Sequence, residues 1–482
     1  MKKTILYIIL TFLITSTWGQ GNYHKLYDLN SRDDFGRKII ETDSGNIVFG
    51  ISDRPGNTTS AFLEVNSLGD SILFRDYHIS NDQISGGGKW FNGYYAFGWH
   101  YDPIEGAGDG HLFFVNDSLD SIKVVTVDFA YNDRINDAIL LDDSTFIVLG
   151  TATDTQATQV LPFIAHIDSN GTILWQKSID SNNVNETVKN IETTLDGGYI
   201  VGGQIQETSA GWEDKFLIKL DSSGTIEWRK NYGMKNASEF VGHVTVCKDG
   251  GYALVGTITV VRQQLTRDAN RGITKVDSVG NIVWEKHFGK SQYNESFQVA
   301  RQLDDGGFIC AGSSFRTVNG SDIPDINLMR LDSAGNKIWE KDYTFYGNES
   351  HDYVEDLQIT SDGGFVMTGF VIPFQTGVTT RNDVFILKVD GNGVITSTNS
   401  GFQEVPAAWK IYPNPTKGQI SIPQTKGLKE ISVYNINGQK VQEFKPNTTA
   451  ETNFEIQGKT GIYLLRLEMK DGQVSSSKIV KK

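Results

Sequence analysis

The chain has 482 residues, 38% hydrophobic and 21% charged, with 50 glycines and only 2 cysteines. Its length suffices for more than one domain, and so few cysteines exclude a disulfide framework. Residues 20–404 hold 30 basic against 52 acidic side chains, a surplus of 22 negative charges that repels phosphate backbones and excludes nucleic acid as a partner; residues 405–482 hold 12 basic and 6 acidic.

At the N-terminus, Lys2 and Lys3 precede an apolar run from Ile5 to Ile14, with small residues at Thr17 and Gly19. This pattern predicts a signal peptide over residues 1–19, cleaved between Gly19 and Gln20. The apolar run falls short of the roughly 20 residues that span a bilayer, so no membrane span is expected. Cys247 and Cys310 lie too far downstream for a lipid anchor at the cleavage site, and both read as buried hydrophobes in neighbouring repeats.

From residue 20 to 399 the chain is periodic. The string DGGYIVGG at Asp196 occurs in seven degraded copies whose closing glycines are Gly50, Gly98, Gly150, Gly203, Gly256, Gly312 and Gly369. Intervals of 48 to 57 residues, each holding four strands, predict an all-β fold, a seven-bladed β-propeller. In the unit from Asn185 to Gly233, VKNIETT, GYIVGGQ, DKFLIKLD and TIEWRKNY read as antiparallel strands A to D, with A innermost. The DGG and DSSG turns between them call for the positive φ that glycine accepts.

Strand D carries its own pattern: Trp175, Trp228, Trp284 and Trp339, followed two residues later by Lys177, Lys230, Lys286 and Lys341. Period-two spacing puts ring and base on one face. A residue repeated in each blade is expected to pack on the neighbouring blade rather than to stack on a ligand. The seventh repeat lacks this pattern at Ser397, whereas Tyr23, Lys25 and Tyr27 supply it before the first repeat begins. The segment 23–29 is therefore expected to be the outer strand of the last blade, closing the ring.

These repeats resemble the secreted bacterial propellers built on DGGY[IV]xxG and [LI]K[LV]DSxGxxxW, similar in appearance to the pyrroloquinoline-quinone dehydrogenase propellers with their tryptophan-docking strands. The resemblance covers residues 23–400 and departs from the quinoprotein pattern in blade number and in cofactor residues, so no cofactor is implied. Sialidase Asp-box spacing is not matched: Asp168 to Gly171 and Gly171 to Trp175 are each one residue longer.

Residues 400–404 read as a linker, and the alternating strands and Pro, Asn and Gly turns of 405–482 predict a small Ig-like β-sandwich. Tyr412, Pro413, Asn414 and Pro415 with Gly418, then Tyr434 and Gly438, then Gly461 and Tyr463, and a basic tail from Lys478 resemble the type A sorting domain of type IX (Por) secretion. The resemblance implies delivery by the type IX machinery through the periplasm of a Gram-negative bacterium. It also implies removal of the domain by a sortase-like peptidase, with the protein released or attached to the outer surface.

Counting 17 residues back from each closing glycine gives Asp33, Asn81, Asp133, Glu186, Glu239, Glu295 and Asp352, with Asp82 beside the exception. Placed where strand A begins, these carboxylates would ring one mouth of the channel. Such a ring suits a hard cation, Ca2+ above all, or a basic ligand. The alternative is that each accepts backbone N–H bonds, and it is preferred because a repeated residue usually does a repeated structural job. The uneven B–C segments share that face. One holds His100 and His111 near Asp102, Glu105 and Asp109; its spacing fits no zinc motif and it reads as a solvated loop. No catalytic motif is found, so a binding module for a glycan, surface polymer or protein is expected. A polysaccharide hydrolase or lyase working with carboxylates alone, and a purely structural surface component, are the alternatives.

Overall fold

In a computed structural model of the chain, the described residues are 22–29, 33–54, 57–77, 82–102, 107–129, 132–141, 145–153, 160–179, 186–206, 213–234, 237–262, 266–289, 295–318, 321–346, 350–374, 381–395, 400–404, 412–413, 415–422, 428–435, 440–446, 452–469 and 474–482. The signal peptide with Gly19 and Gln20, and also Asn81, Asn414 and Gly438, lie outside them. The described residues are all β, and no helix among them is long and apolar enough to cross a membrane.

The described residues within 23–404 form seven sheets built on four antiparallel strands, spanning 33–77, 82–127, 132–178, 186–232, 237–288, 296–343 and 350–389, the last completed from the N-terminus. Each sheet packs on the next, the last packs on the first, and the A strands meet around the axis. This is a β-propeller. In the sheet 186–232, strand B (Tyr199–Gln206) is apolar on both faces, with Tyr199, Ile200 and Val201 all buried, because a neighbouring sheet covers each side.

The two repeated strings meet in space. Asp196 of the DGG turn pairs with Lys219 of LIKLD at 2.9 Å, Asp249 with Lys275 at 2.9 Å, and Asp362 with Lys388 at 2.7 Å, while Asp305 pairs with Arg330. The basic partners are buried, so the turn carboxylate neutralises a charge that strand C carries inward. Gly197 has φ 82°, a conformation strained for any other residue, and a Cβ on Gly198 would meet Leu220 O at 2.2 Å, which leaves no room for a side chain there.

The D-strand tryptophans dock on the following sheet. A Cβ on the C–D turn glycine of the next repeat would lie 2.5 Å from Trp175 at Gly224, 2.9 Å from Trp228 at Gly280, 2.7 Å from Trp284 at Gly335 and 3.0 Å from Trp339 at Gly393. Lys177 Nζ donates to Ser223 O at 2.7 Å on that same turn. The N-terminal strand Tyr23–Asp28 does likewise at the ring junction: Tyr23 covers Gly69, Lys25 pairs with Asp70 at 2.6 Å, and Tyr27 OH donates to Gly69 O at 2.6 Å. It pairs antiparallel with Asp383–Val389, setting Tyr27 opposite Val384. Its other edge is covered by Ser400–Glu404, paired parallel with His24 opposite Ser400, so the stretch read as a linker is a fifth strand that hides an open edge.

Cys247 and Cys310 are free and buried in one apolar cluster, and burial pushes the Cys247 thiol up to about 12. The C-terminal strands form a four-stranded sheet facing a two-stranded one, over a core that includes Ile420, Ile431, Phe454 and Leu465.

Candidate functional site

Every A strand bulges opposite its closing glycine, the register slipping between Gly36 and Lys38, Ile84 and Gly86, Ile135 and Asp137, Val188 and Asn190, Val241 and His243, Phe297 and Val299, and Val354 and Asp356. The bulge explains the glycine that carries the period. A Cβ on Gly256 would lie 1.8 Å from Phe240 O, and one on Gly369 would lie 1.9 Å from Tyr353 O. Only glycine lets the bulged strand approach so closely.

The extra residue of each bulge is left out of the ladder and borders the axis. These residues are Arg37, Ser85, Asn136, Lys189, Gly242, Gln298 and Glu355, and they line an axial cavity of about 330 Å³. Seven equivalent positions thus carry seven different side chains. The lining holds four basic residues, Arg37, Lys38, Arg134 and Lys189, against the acids Asp137, Glu355 and Asp356. Arg37 pairs with Glu355 at 2.9 Å, and Asp356 accepts from Arg301 at 3.1 Å and lies 3.5 Å from Lys38.

Neighbouring sheets are stitched through this network, because the inner edge of each A strand has N–H groups without ladder partners. Asp137 accepts Ile191 N–H at 2.9 Å, Glu192 accepts Val246 N–H at 2.7 Å, and Asp356 accepts Ile39 N–H at 3.1 Å. Asn190 bonds the Val244 backbone both ways, at 2.9 and 2.8 Å. Burial, then Arg301 and Lys38, hold the His243 imidazole well below its usual range. Its neutral Nε2 accepts from Arg301 Nη1 at 2.9 Å. Burial also pushes the Asp137 carboxyl up to about 6 against the pull of Lys38 and the backbone N–H groups.

The expected acidic ring stands elsewhere and is shifted in two places. A carboxylate lies opposite the second residue past the closing glycine: Asp34 faces Ser52, Asp82 faces His100, Asp133 faces Ala152, Glu186 faces Ile205, Glu239 faces Ile258 and Asp352 faces Val371. Asp34 and Asp82 take the places given to Asp33 and Asn81, because the A–B connections of the first two sheets are one residue shorter than in the third (Gly36 opposite Gly50, against Ile135 opposite Gly150). With Glu295, all seven are carboxylates at most 3% exposed, and none borders the axial cavity. They are wedged between sheets. Asp34, Asp133, Glu239 and Asp352 accept N–H bonds of Leu29, Phe129, Met234 and Phe345 in the connections entering strand A. Glu186 pairs with Arg229 at 2.6 Å, Glu239 with Lys215 at 3.3 Å and Glu295 with Arg271 at 3.1 Å. Asp82 bonds Ser60 Oγ, and its other oxygen lies 3.0 Å from His111 Nε2 at an angle unsuited to a hydrogen bond.

His111 is buried in the strand Ala107–Asn116, and His100 stands opposite Asp109 of that strand in a ladder that runs on to Asp102, so the B–C segment read as a solvated loop is largely strand. Among the described residues one group of carboxylates, Asp109, Asp128 and Asp133, brings an oxygen of each within 4.8 Å of the others. Beside the channel a second cavity of about 240 Å³ lies between the second and third sheets, and Trp99 and Arg134 border both cavities. The sequence reading missed this site. Its only linear signal is a column 13 or 14 residues before each closing glycine that varies while its neighbours repeat.

In the C-terminal sheet the central strand Gly461–Met469 lies between Leu428–Asn435 and Val474–Lys481. Tyr463 is buried and donates to Lys459 O at 2.7 Å, and Tyr434 faces Lys440 across the edge. Tyr412 pairs through its backbone with Ser421, Gly418 has φ 127°, and the Lys478 backbone stands opposite Leu464. Residues 410–482 match the secretion system C-terminal sorting domain. The chain thus carries a type IX export address, and its propeller is a cargo for the outer surface or the medium. The fold is similar to that of the WD40 domain of Neurospora crassa Pan2, at 9% identity over 78% of this chain and 93% of that one, TM-score 0.45. It is also similar to the β-propeller domain of the Trilobed protease from Pyrococcus furiosus, at 10% identity over 75% and 94%, TM-score 0.35. No curated protein matches the chain.

Proposed function

We propose that the exported propeller is a binding module that holds a glycan, a surface polymer or a protein on its channel face. The column of bulge residues carries this reading. Gly242 and Ser85 fill the position as well as Arg37 or Glu355 does, so the fold makes no demand on the side chain there. A mixture of Arg, Lys, Glu, Gln and Asn at such a place is explained by what the channel meets. The route follows from the sorting domain: removal of the signal peptide, passage through the periplasm and the type IX translocon, and cleavage by a sortase-like peptidase that releases the propeller or attaches it to the cell surface.

A second reading, a polysaccharide hydrolase or lyase, is favoured by Asp137, whose carboxyl is pushed up to about 6, within the range of a general acid. Screening the mature protein on a glycan array while measuring reducing-sugar release, with and without Ca2+, separates the two. Retention without release is the expected result. Release that Asp137→Asn abolishes would replace the binding reading by the enzymatic one.

A further inference from the structure

The cavity between the second and third sheets narrows the ligand class, an inference that rests on the binding reading above. Trp99 and Tyr101 are two residues apart on the strand Gly93–Asp102, so both rings project from one face. Trp99 has a fitted seat: a Cβ on Gly108 would come within 2.8 Å of its indole Cε3. Asn132 fixes that seat by accepting Gly108 N–H at 3.1 Å. Tyr101 is 37% exposed, and its ring edges the same groove.

The charge in this groove is anomalous. The Arg134 side chain is exposed and makes no ion pair or hydrogen bond among the described residues, in a domain with 22 surplus negative charges. Its sequence neighbour Asp133 is committed elsewhere, its oxygens accepting the N–H groups of Gly110 at 2.6 Å and Phe129 at 2.9 Å, and it makes no ion pair with Arg134. An arginine held at a groove wall without a carboxylate has its planar fork available for one from outside.

We infer that this groove binds a sugar ring bearing a carboxylate, a uronic acid residue. The aromatic faces of Trp99 and Tyr101 receive the C–H face of the ring, Asn132 is placed for its hydroxyls, and Arg134 engages the carboxylate through two parallel N–H bonds. A cavity of about 240 Å³ suits a single ring, with the rest of the polymer passing over the channel, whose wall begins at the same Trp99 and Arg134. Of the acidic group, Asp133 borders the groove but is buried, at 3% exposed, whereas Asp109 and Asp128 lie outside the lining.

The test titrates the mature full chain with oligogalacturonate and with its methyl-esterified form, followed by calorimetry and tryptophan fluorescence, in EDTA and in Ca2+. The acid is expected to bind about tenfold more tightly than the ester, one charge-assisted bond's worth, in EDTA as in Ca2+. Arg134→Gln should remove that preference with an unchanged melting temperature, and Trp99→Ala should weaken both forms. Equal affinity for acid and ester, or a preference that survives Arg134→Gln, overturns the inference. So does binding that needs Ca2+, which would assign the carboxylate to the Asp109, Asp128 and Asp133 group. If neither form binds while the array retains another polymer, this inference falls and the binding reading stands; an array that retains nothing removes both.

Discussion

Asp34 shows how one residue ties chemistry to folding. It is fully buried where the N-terminal strand meets the first sheet, and burial pushes its carboxyl up to about 9, helped by Asp28 and Asp383 and opposed by Ser52 and the Leu29 N–H. The folded chain therefore keeps this proton where the unfolded chain, with an ordinary value of 3.8, has lost it. Folded-state proton binding exceeds unfolded-state binding through that window, so this group lowers stability as pH rises from about 4 to about 9. Asp34→Asn retains an acceptor for Leu29 N–H and cannot ionise. Thermal melts of the variant should rise above those of the parent at pH 8 and converge with them toward pH 4. A difference that does not change with pH would contradict this. Glycines give a second contrast at the same scale. Gly256→Ala forces a Cβ to 1.8 Å from Phe240 O, whereas Gly250→Ala meets open space at φ 81°. Urea titrations should show a loss of about 2–4 kcal/mol for the first and about 1 kcal/mol for the second. Equal losses would mean that the bulge relaxes freely.

Among the elements, the strand Tyr23–Asp28 is the sharpest case. Tyr23, Leu26, Tyr27 and Leu29 are each at most 3% exposed. At about 1.5–3 kcal/mol for each large apolar side chain, their burial matches the whole stability of an ordinary domain, about 5–15 kcal/mol. Deleting residues 20–30 should abolish cooperative unfolding, while Tyr27→Phe, which loses only the bond to Gly69 O, should cost about 1 kcal/mol. A deletion variant that melts like the parent would refute the role of this strand. The strand was legible in the sequence because ring, base and ring at Tyr23, Lys25 and Tyr27 repeat the strand-D pattern that Trp175, Trp228, Trp284 and Trp339 begin in other repeats. The A-strand bulges were not legible. A bulge is a one-residue slip between paired strands, and nothing in a single strand's alternation marks which residue drops out of the ladder. A separate one-residue offset misplaced the ring positions at Asp33 and Asn81, since shorter A–B connections in the first two sheets shift a fixed count by one residue.

For the whole molecule, repeat spacing made the propeller legible and the Tyr412 to Lys478 landmarks made the export address legible, because both depend on local turn and strand chemistry. The channel was not. A surplus of 22 negative charges suggests an acidic mouth, yet the axial lining carries four basic and three acidic side chains, since the repeated acids are spent on N–H groups and buried cations between sheets. Deleting residues 405–482 should leave the propeller inside the cell envelope, as read by fractionation; equal surface and medium levels with and without the domain would contradict the export reading. The most direct measurement of the binding claim is hydrogen–deuterium exchange of the mature protein with and without the glycan that the array retains. Slowed exchange is expected in peptides covering the bulges 36–38, 135–137, 188–190 and 241–243. Slowing confined to outer strands or to the sorting domain, with the A strands unchanged, would contradict a ligand held at the channel.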